Sequence, residues 1–168
     1  MDDRLRDTLI GWAQTYNDPV YFQEDPIIFP TRFAQMHESG KASLADVEIS
    51  ALLAAHLAWG RRAMIVRDCD RMFEEMCWRP YDYVMNGEYR DENASLHRTI
   101  KWSEFAAICG RLRGIYGRSD SLEGLTDMQI RCEVFGQKED RKAPNKKISM
   151  MRRWMVRDDG KVDLGLWK

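Results

Sequence analysis

Between Lys146 and Arg157 the chain reads K-K-I-S-M-M-R-R-W-M-V-R, with cations, an indole and apolar side chains at helical spacing. At about 100° per residue, Ile148, Met151 and Met155 fall on one side, and Lys146, Arg153 and Arg157 line the opposite one. Trp154 and Met150 flank the basic row, and Lys147 adjoins it. Such a row suits a phosphate backbone, because phosphates set affinity through charge and an indole can stack on an unpaired base. Lys146, Lys147, Arg153, Trp154 and Arg157 are therefore the expected nucleic-acid-binding residues, with DNA as the expected partner. The competing reading is a solvated basic face with Trp154 in the core and the arginines paired with the acidic remainder of the protein. From Arg141 to Lys168 there are nine basic and three acidic residues, a net of +6, which leaves −7 for the rest of a chain whose total is −1.

Few other residues carry chemistry. His56 lies among Ile49, Leu52 and Leu53 and reads as a neutral, hydrogen-bonded core histidine with no nucleophile placed beside it. Glu48 reads as a buried partner of Arg61 or Arg62, while His37 and His97 lie in polar surroundings and signal nothing. Cys69, Cys77, Cys109 and Cys132 show no paired spacing and no histidine at zinc-finger distance. They read as reduced core thiols, and neither a metal site nor a cofactor is expected. Phosphate-binding glycine loops, the nucleophile-elbow serine motif and the paired-histidine metalloprotease motif are all missing from the sequence. No catalytic residue can be assigned from these patterns.

The elements that would position these residues centre on Ala42 to Arg62. Ser43 with Asp46 resembles a capping box, and Gly60 ahead of two arginines reads as the end of a helix. Ile49, Leu52, Leu53, His56 and Leu57 crowd one side, and Ala51, Ala54, Ala55 and Ala58 fill the other. A helix apolar all round is a buried one, so this is the expected central helix, with His56 and Leu53 nearly inaccessible. Before it, Leu5, Leu9, Trp12, Ala13 and Tyr16 mark an amphipathic helix, and Phe29, Phe33 and Met36 a short one after Pro26 and Pro30. Further helices are expected over residues 61–78, 80–86, from a Ser103 cap through Tyr116, and over 122–135, with a surface loop at 87–95. Gly110 and Gly114 would permit close packing.

The fold class that follows is all-α: a single compact multi-helix domain over residues 1–168, with a helical body at 1–140 and a basic helix and tail at 146–168. The 44% hydrophobic content excludes global disorder, and the longest uncharged apolar stretch, about residues 49–59, is far short of the ~20 residues a membrane span needs. A soluble cytoplasmic protein without a membrane partner is expected.

Three blocks carry a family resemblance: F-P-T-R-F at 29–33, D-V-E-I with L-A-W-G-R-R at 46–49 and 57–62, and R-R-W-M-V-R followed by V-D-L-G-L-W-K at 152–157 and 162–168. Together they resemble a family of uncharacterised bacterial proteins, a domain of unknown function, that is distantly similar to helix-hairpin-helix DNA glycosylases of the endonuclease III kind. Lys147-Ile148-Ser149 stands where that pattern has R-L-N, Arg152 where it has Leu, and Asn145 where it has Cys. The glycosylase similarity rests mainly on a later P-L-D-T-H-V segment, whose aspartate would match the catalytic one. This chain stops at Lys168 before such a segment, so the resemblance implies the N-terminal part of a glycosylase-like protein that binds nucleic acid. The alternative is a catalytically silent scaffold or truncated product that self-associates through the apolar tail residues Val162, Leu164, Leu166 and Trp167.

Overall fold

The computed structural model describes residues 3–136. The expected binding residues Lys146, Lys147, Arg153, Trp154 and Arg157 lie outside the described residues, as do the apolar tail at 162–167 and the whole of the expected segment 146–168.

The architecture is predominantly helical, with α1 (Asp3–Tyr16), a 3-10 turn (Pro19–Phe22), α2 (Ile28–Glu38), α3 (Leu44–Leu57), α4 (Arg62–Glu75) and α5 (Pro80–Asn86). After these come β1 (Ser95–His97), β2 (Ile100–Lys101), α6 (Trp102–Tyr116) and α7 (Asp127–Gln129), which runs into a π-helical turn at Ile130–Val134. The antiparallel β1–β2 pair corrects the all-α expectation. No glycine marks its turn; Arg98 takes the left-handed conformation instead, with φ 51°. Leu96 and His97 of β1 are buried, so the hairpin is a small lid on the core.

α3 starts as its sequence dictates. The Ser43 hydroxyl accepts from the Asp46 amide at 3.1 Å, and Asp46 accepts from the Ser43 amide at 2.8 Å. Asp46 also accepts from the Tyr81 amide at 2.9 Å, which ties the start of α5 to the start of α3. Ile49, Leu53 and Leu57 are fully buried, and α2, α4 and α5 pack against the helix. The alanine side is only partly covered: Ala54 is buried, whereas Ala51, Ala55 and Ala58 are exposed. His56 departs from expectation too. It is half-buried, its ring lying 4.5 Å from that of Phe135, and makes no hydrogen bond among the described residues.

F-P-T-R-F has a packing explanation. Phe29 and Phe33 lie 5.2 and 5.3 Å from Phe73 and stack on Trp78, and the Arg32 guanidinium sits 3.8 Å from the Trp78 ring. The stack holds Cys77 and Trp78 at φ 51° and 54°, a backbone conformation that costs about 1–3 kcal/mol per residue unless its surroundings enforce it.

Other boundaries shift. Lys101, not Ser103, precedes α6, with the Lys101 amide donating to Glu104 at 2.9 Å. The last expected helix begins at Asp127, because Thr126 caps it through the Gln129 amide. Gly110 and Gly114 are exposed rather than at a close helix contact. α1 forms as expected, yet none of its residues is buried.

Candidate functional site

Asp68 sits on α4 between Ile65, Cys69 and Met72, all buried, and is itself 2% exposed. A carboxylate at such a position must be compensated by partners. Arg67 Nε donates to Oδ1 at 2.9 Å, Arg71 Nη1 reaches the same oxygen at 3.3 Å, and His97 Nδ1 lies 2.7 Å from Oδ2. Arg71 also donates to the carbonyls of Leu96 and Ser95, at 3.4 and 3.3 Å, and so fastens the hairpin to α4.

His97 is completely buried, and its Nε2 lies 3.0 Å from the Trp59 carbonyl oxygen. Burial pushes the Asp68 carboxyl up, but hydrogen bonds and charge from His97 and Arg67 outweigh it and hold the group below its ordinary range. The carboxylate is thus ionised and acts only as an acceptor, and the carbonyl on the other side is an acceptor as well. His97 is therefore a buried hydrogen-bonded link between α4 and the segment after α3.

That segment forms a surface corner. Trp59 is 40% exposed, its ring edge-on to His97 at 5.8 Å, and the Arg98 guanidinium lies 4.4 Å from its ring centre. Gly60 has φ 122°, and a Cβ there would come 2.6 Å from Arg98 Nη1, so any side chain would strain the backbone and displace the arginine. Arg61 is the N-cap of α4 without a side-chain capping bond, and Arg62 lies 3.8 Å from Asp25. Arg98 thus lies on an exposed indole that Arg61 and Arg62 follow closely in the chain; Arg62 is paired with Asp25, while Arg67 and Arg71 are paired with Asp68. The corner carries excess positive charge at the positive end of the α4 dipole, which favours an anion there.

The same geometry argues against base catalysis by the Asp68–His97 pair. Both ring nitrogens are committed and the ring is inaccessible, so no face is left for a substrate proton. Neighbouring Cys69 is no nucleophile, since burial pushes its thiol up to about 12. Cys109 is buried likewise, whereas Cys77 is exposed and Cys132 half-buried, which corrects the reading of all four as core thiols. Among the described residues no group of three or more His, Cys, Asp or Glu side chains could hold a metal ion.

Among the described residues Glu48 has no arginine partner. Its carboxylate accepts from the Tyr116 hydroxyl at 2.9 Å, the Leu122 amide at 3.0 Å and the Ser121 hydroxyl, so it anchors the loop after α6.

In the sequence Trp59 stands out only within the L-A-W-G-R-R block, Arg61 and Arg62 there and as candidate partners of Glu48, and His97 lies in surroundings that read as polar. A detectable signal was Asp68 itself: an acid one residue before Cys69 on an apolar stripe, with arginines at positions 67 and 71. His97 left no such trace, because its partners are 29 and 38 residues away.

A family model described as a protein of unknown function (DUF2400) matches residues 25–140 and 127–168. No curated protein and no solved structure matches the chain.

Proposed function

Because those matches run from residue 25 to residue 168, the chain belongs to the DUF2400 family of proteins of unknown function, and on that premise we propose that it binds nucleic acid through the phosphate backbone at the arginine corner around Trp59. The observation that carries this reading is the exposed indole beneath Arg98, two residues before Arg61 at the start of α4. Among the described residues Arg61 makes no ion pair and the Arg98 guanidinium rests on the Trp59 ring, and guanidinium groups so placed suit phosphates. Trp59 offers a stacking surface for an unpaired base. Lys146, Lys147, Arg153, Trp154 and Arg157 would supply further contacts, in keeping with the resemblance to helix-hairpin-helix DNA glycosylases.

Fluorescence anisotropy with a labelled single-stranded oligonucleotide tests it. The expected binding weakens steeply between about 50 and 200 mM salt, and Arg61→Ala with Arg98→Ala lowers the log–log slope by roughly 0.7 per lost contact. Trp59→Ala is expected to weaken binding by about 1–3 kcal/mol through lost stacking, while the backbone carbonyl that receives His97 stays in place. Salt-insensitive anisotropy, or wild-type affinity in the double arginine variant, removes the corner from any role in binding.

A further inference from the structure

Among the described residues, nine of the eleven exposed large hydrophobic side chains fall between Leu5 and Ile27. Four of them, Leu5, Leu9, Trp12 and Tyr16, recur at spacings of four, three and four along α1. That is the narrow seam of a coiled coil, which matches another helix rather than a broad globular face. The flanks of the seam are Arg6, Thr8, Ala13 and Thr15. Both threonine hydroxyls bond back to their own helix, to the Arg4 and Gly11 carbonyls at 2.8 Å, and so ask nothing of a partner.

We propose that the Leu5–Leu9–Trp12–Tyr16 seam of α1 is a dimerisation surface that packs against the same seam of a second copy of this chain. Self-pairing fits because the flanks hold one charged residue, Arg6, at one end of the helix. In an antiparallel pair Arg6 falls opposite the Ala13 end, so no like charges meet across the contact. The extent fits as well. Trp12, Tyr16, Tyr21 and Phe22 are 38–59% exposed, and the Tyr16 and Tyr21 rings lie 5.4 Å apart, which extends the seam onto the 3-10 turn. With about 100 Å² from each aromatic and about 40 Å² from each aliphatic neighbour, a copy contributes at most roughly 600 Å². The pair then buries about 1,200 Å², the lower edge of a specific interface. The dimer is accordingly a weak, concentration-dependent one, and it does not depend on nucleic acid.

Sedimentation velocity on the full chain from about 1 to about 100 μM, the range in which a weak dimer responds to concentration, tests the proposal. The weight-average mass should rise from 19.8 kDa towards twice that value. The Leu9→Glu, Trp12→Glu double variant should stay at the mass of one chain with an unchanged melting temperature, because α1 buries none of its residues in its own body. A wild-type chain that remains single at the highest concentration overturns the proposal, as does a dimer indifferent to the two glutamates. A single chain whose melting temperature drops in the variant also overturns it, and would assign the seam to the chain's own residues beyond Gly136.

Discussion

Asp68 is a carboxylate in the middle of an apolar stripe, and its neighbours decide whether it stabilises the fold or destabilises it. Removing one partner of a buried pair leaves the other uncompensated, so Asp68→Asn is expected to lower stability by about 3–5 kcal/mol. His97→Gln should cost a comparable amount, and the double variant far less than the sum, since the two side chains form one unit. Urea melts of the three variants measure this. The pH dependence has a definite sign. The Asp68 carboxyl is held below its ordinary value, so as pH falls the unfolded chain takes up the proton first. Its contribution is complete above about pH 4 and fades on further acidification through the folded-state value, so the stability gap between wild type and Asp68→Asn should narrow there. A gap that widened on acidification would mean that the folded carboxyl is the more easily protonated. His56 also loses stability towards acid. Burial holds its imidazole below 6.5, against a raising pull from Glu104, and protonation therefore favours the unfolded chain. Stability should decline as pH falls below about 6.5, and His56→Gln should flatten the melting profile between about pH 5 and 7.

At the scale of elements, local chemistry wrote the helices and left out their long-range contacts. The Ser43–Asp46 cap, the Ile65–Cys69–Met72 stripe of α4 and the Pro80 start of α5 are all set by residues within a few positions of one another. The hairpin was hidden because Arg98, not glycine or asparagine, turns it, held by the Trp59 ring and by the Ser95 hydroxyl bonded to its carbonyl at 2.9 Å. In α1 periodicity marks an apolar face, but local spacing carries no information on what covers it, and the helix buries none of its residues. Two sets of substitutions probe these elements. Leu53→Ala, at the fully buried centre of α3, should cost about 2–5 kcal/mol in a denaturant melt. Gly60→Ala should cost at least about 1–2 kcal/mol, since it combines a positive φ with displacement of Arg98. Gly40→Ala, with φ 72° and nothing within 4 Å of its Cβ, supplies the backbone cost alone. Equal melting temperatures for the two alanine variants would show that the Arg98 contact adds nothing.

At the scale of the whole molecule, the distribution of charge has two outlets. Residues 141–168 carry a net +6 against −7 elsewhere, and the described body already holds its own arginine corner around Trp59. If the basic segment served mainly to neutralise the acidic body, its arginines would act on stability, although exposed ion pairs are each worth only about 0–1 kcal/mol. If it joins the corner in holding a polyanion, they act on affinity and on salt dependence. We expect the second. Arg153→Glu with Arg157→Glu should weaken oligonucleotide binding and lower its salt slope, each lost contact counting for roughly 0.7–0.9, while the melting temperature stays within about a degree or two of wild type. Combined with Arg61→Ala and Arg98→Ala, the losses in binding free energy should add, because separate contacts to one polyanion are independent to within about 0.5 kcal/mol. A lowered melting temperature with unchanged anisotropy would instead place the two arginines on the acidic body and leave the Trp59 corner as the sole polyanion contact.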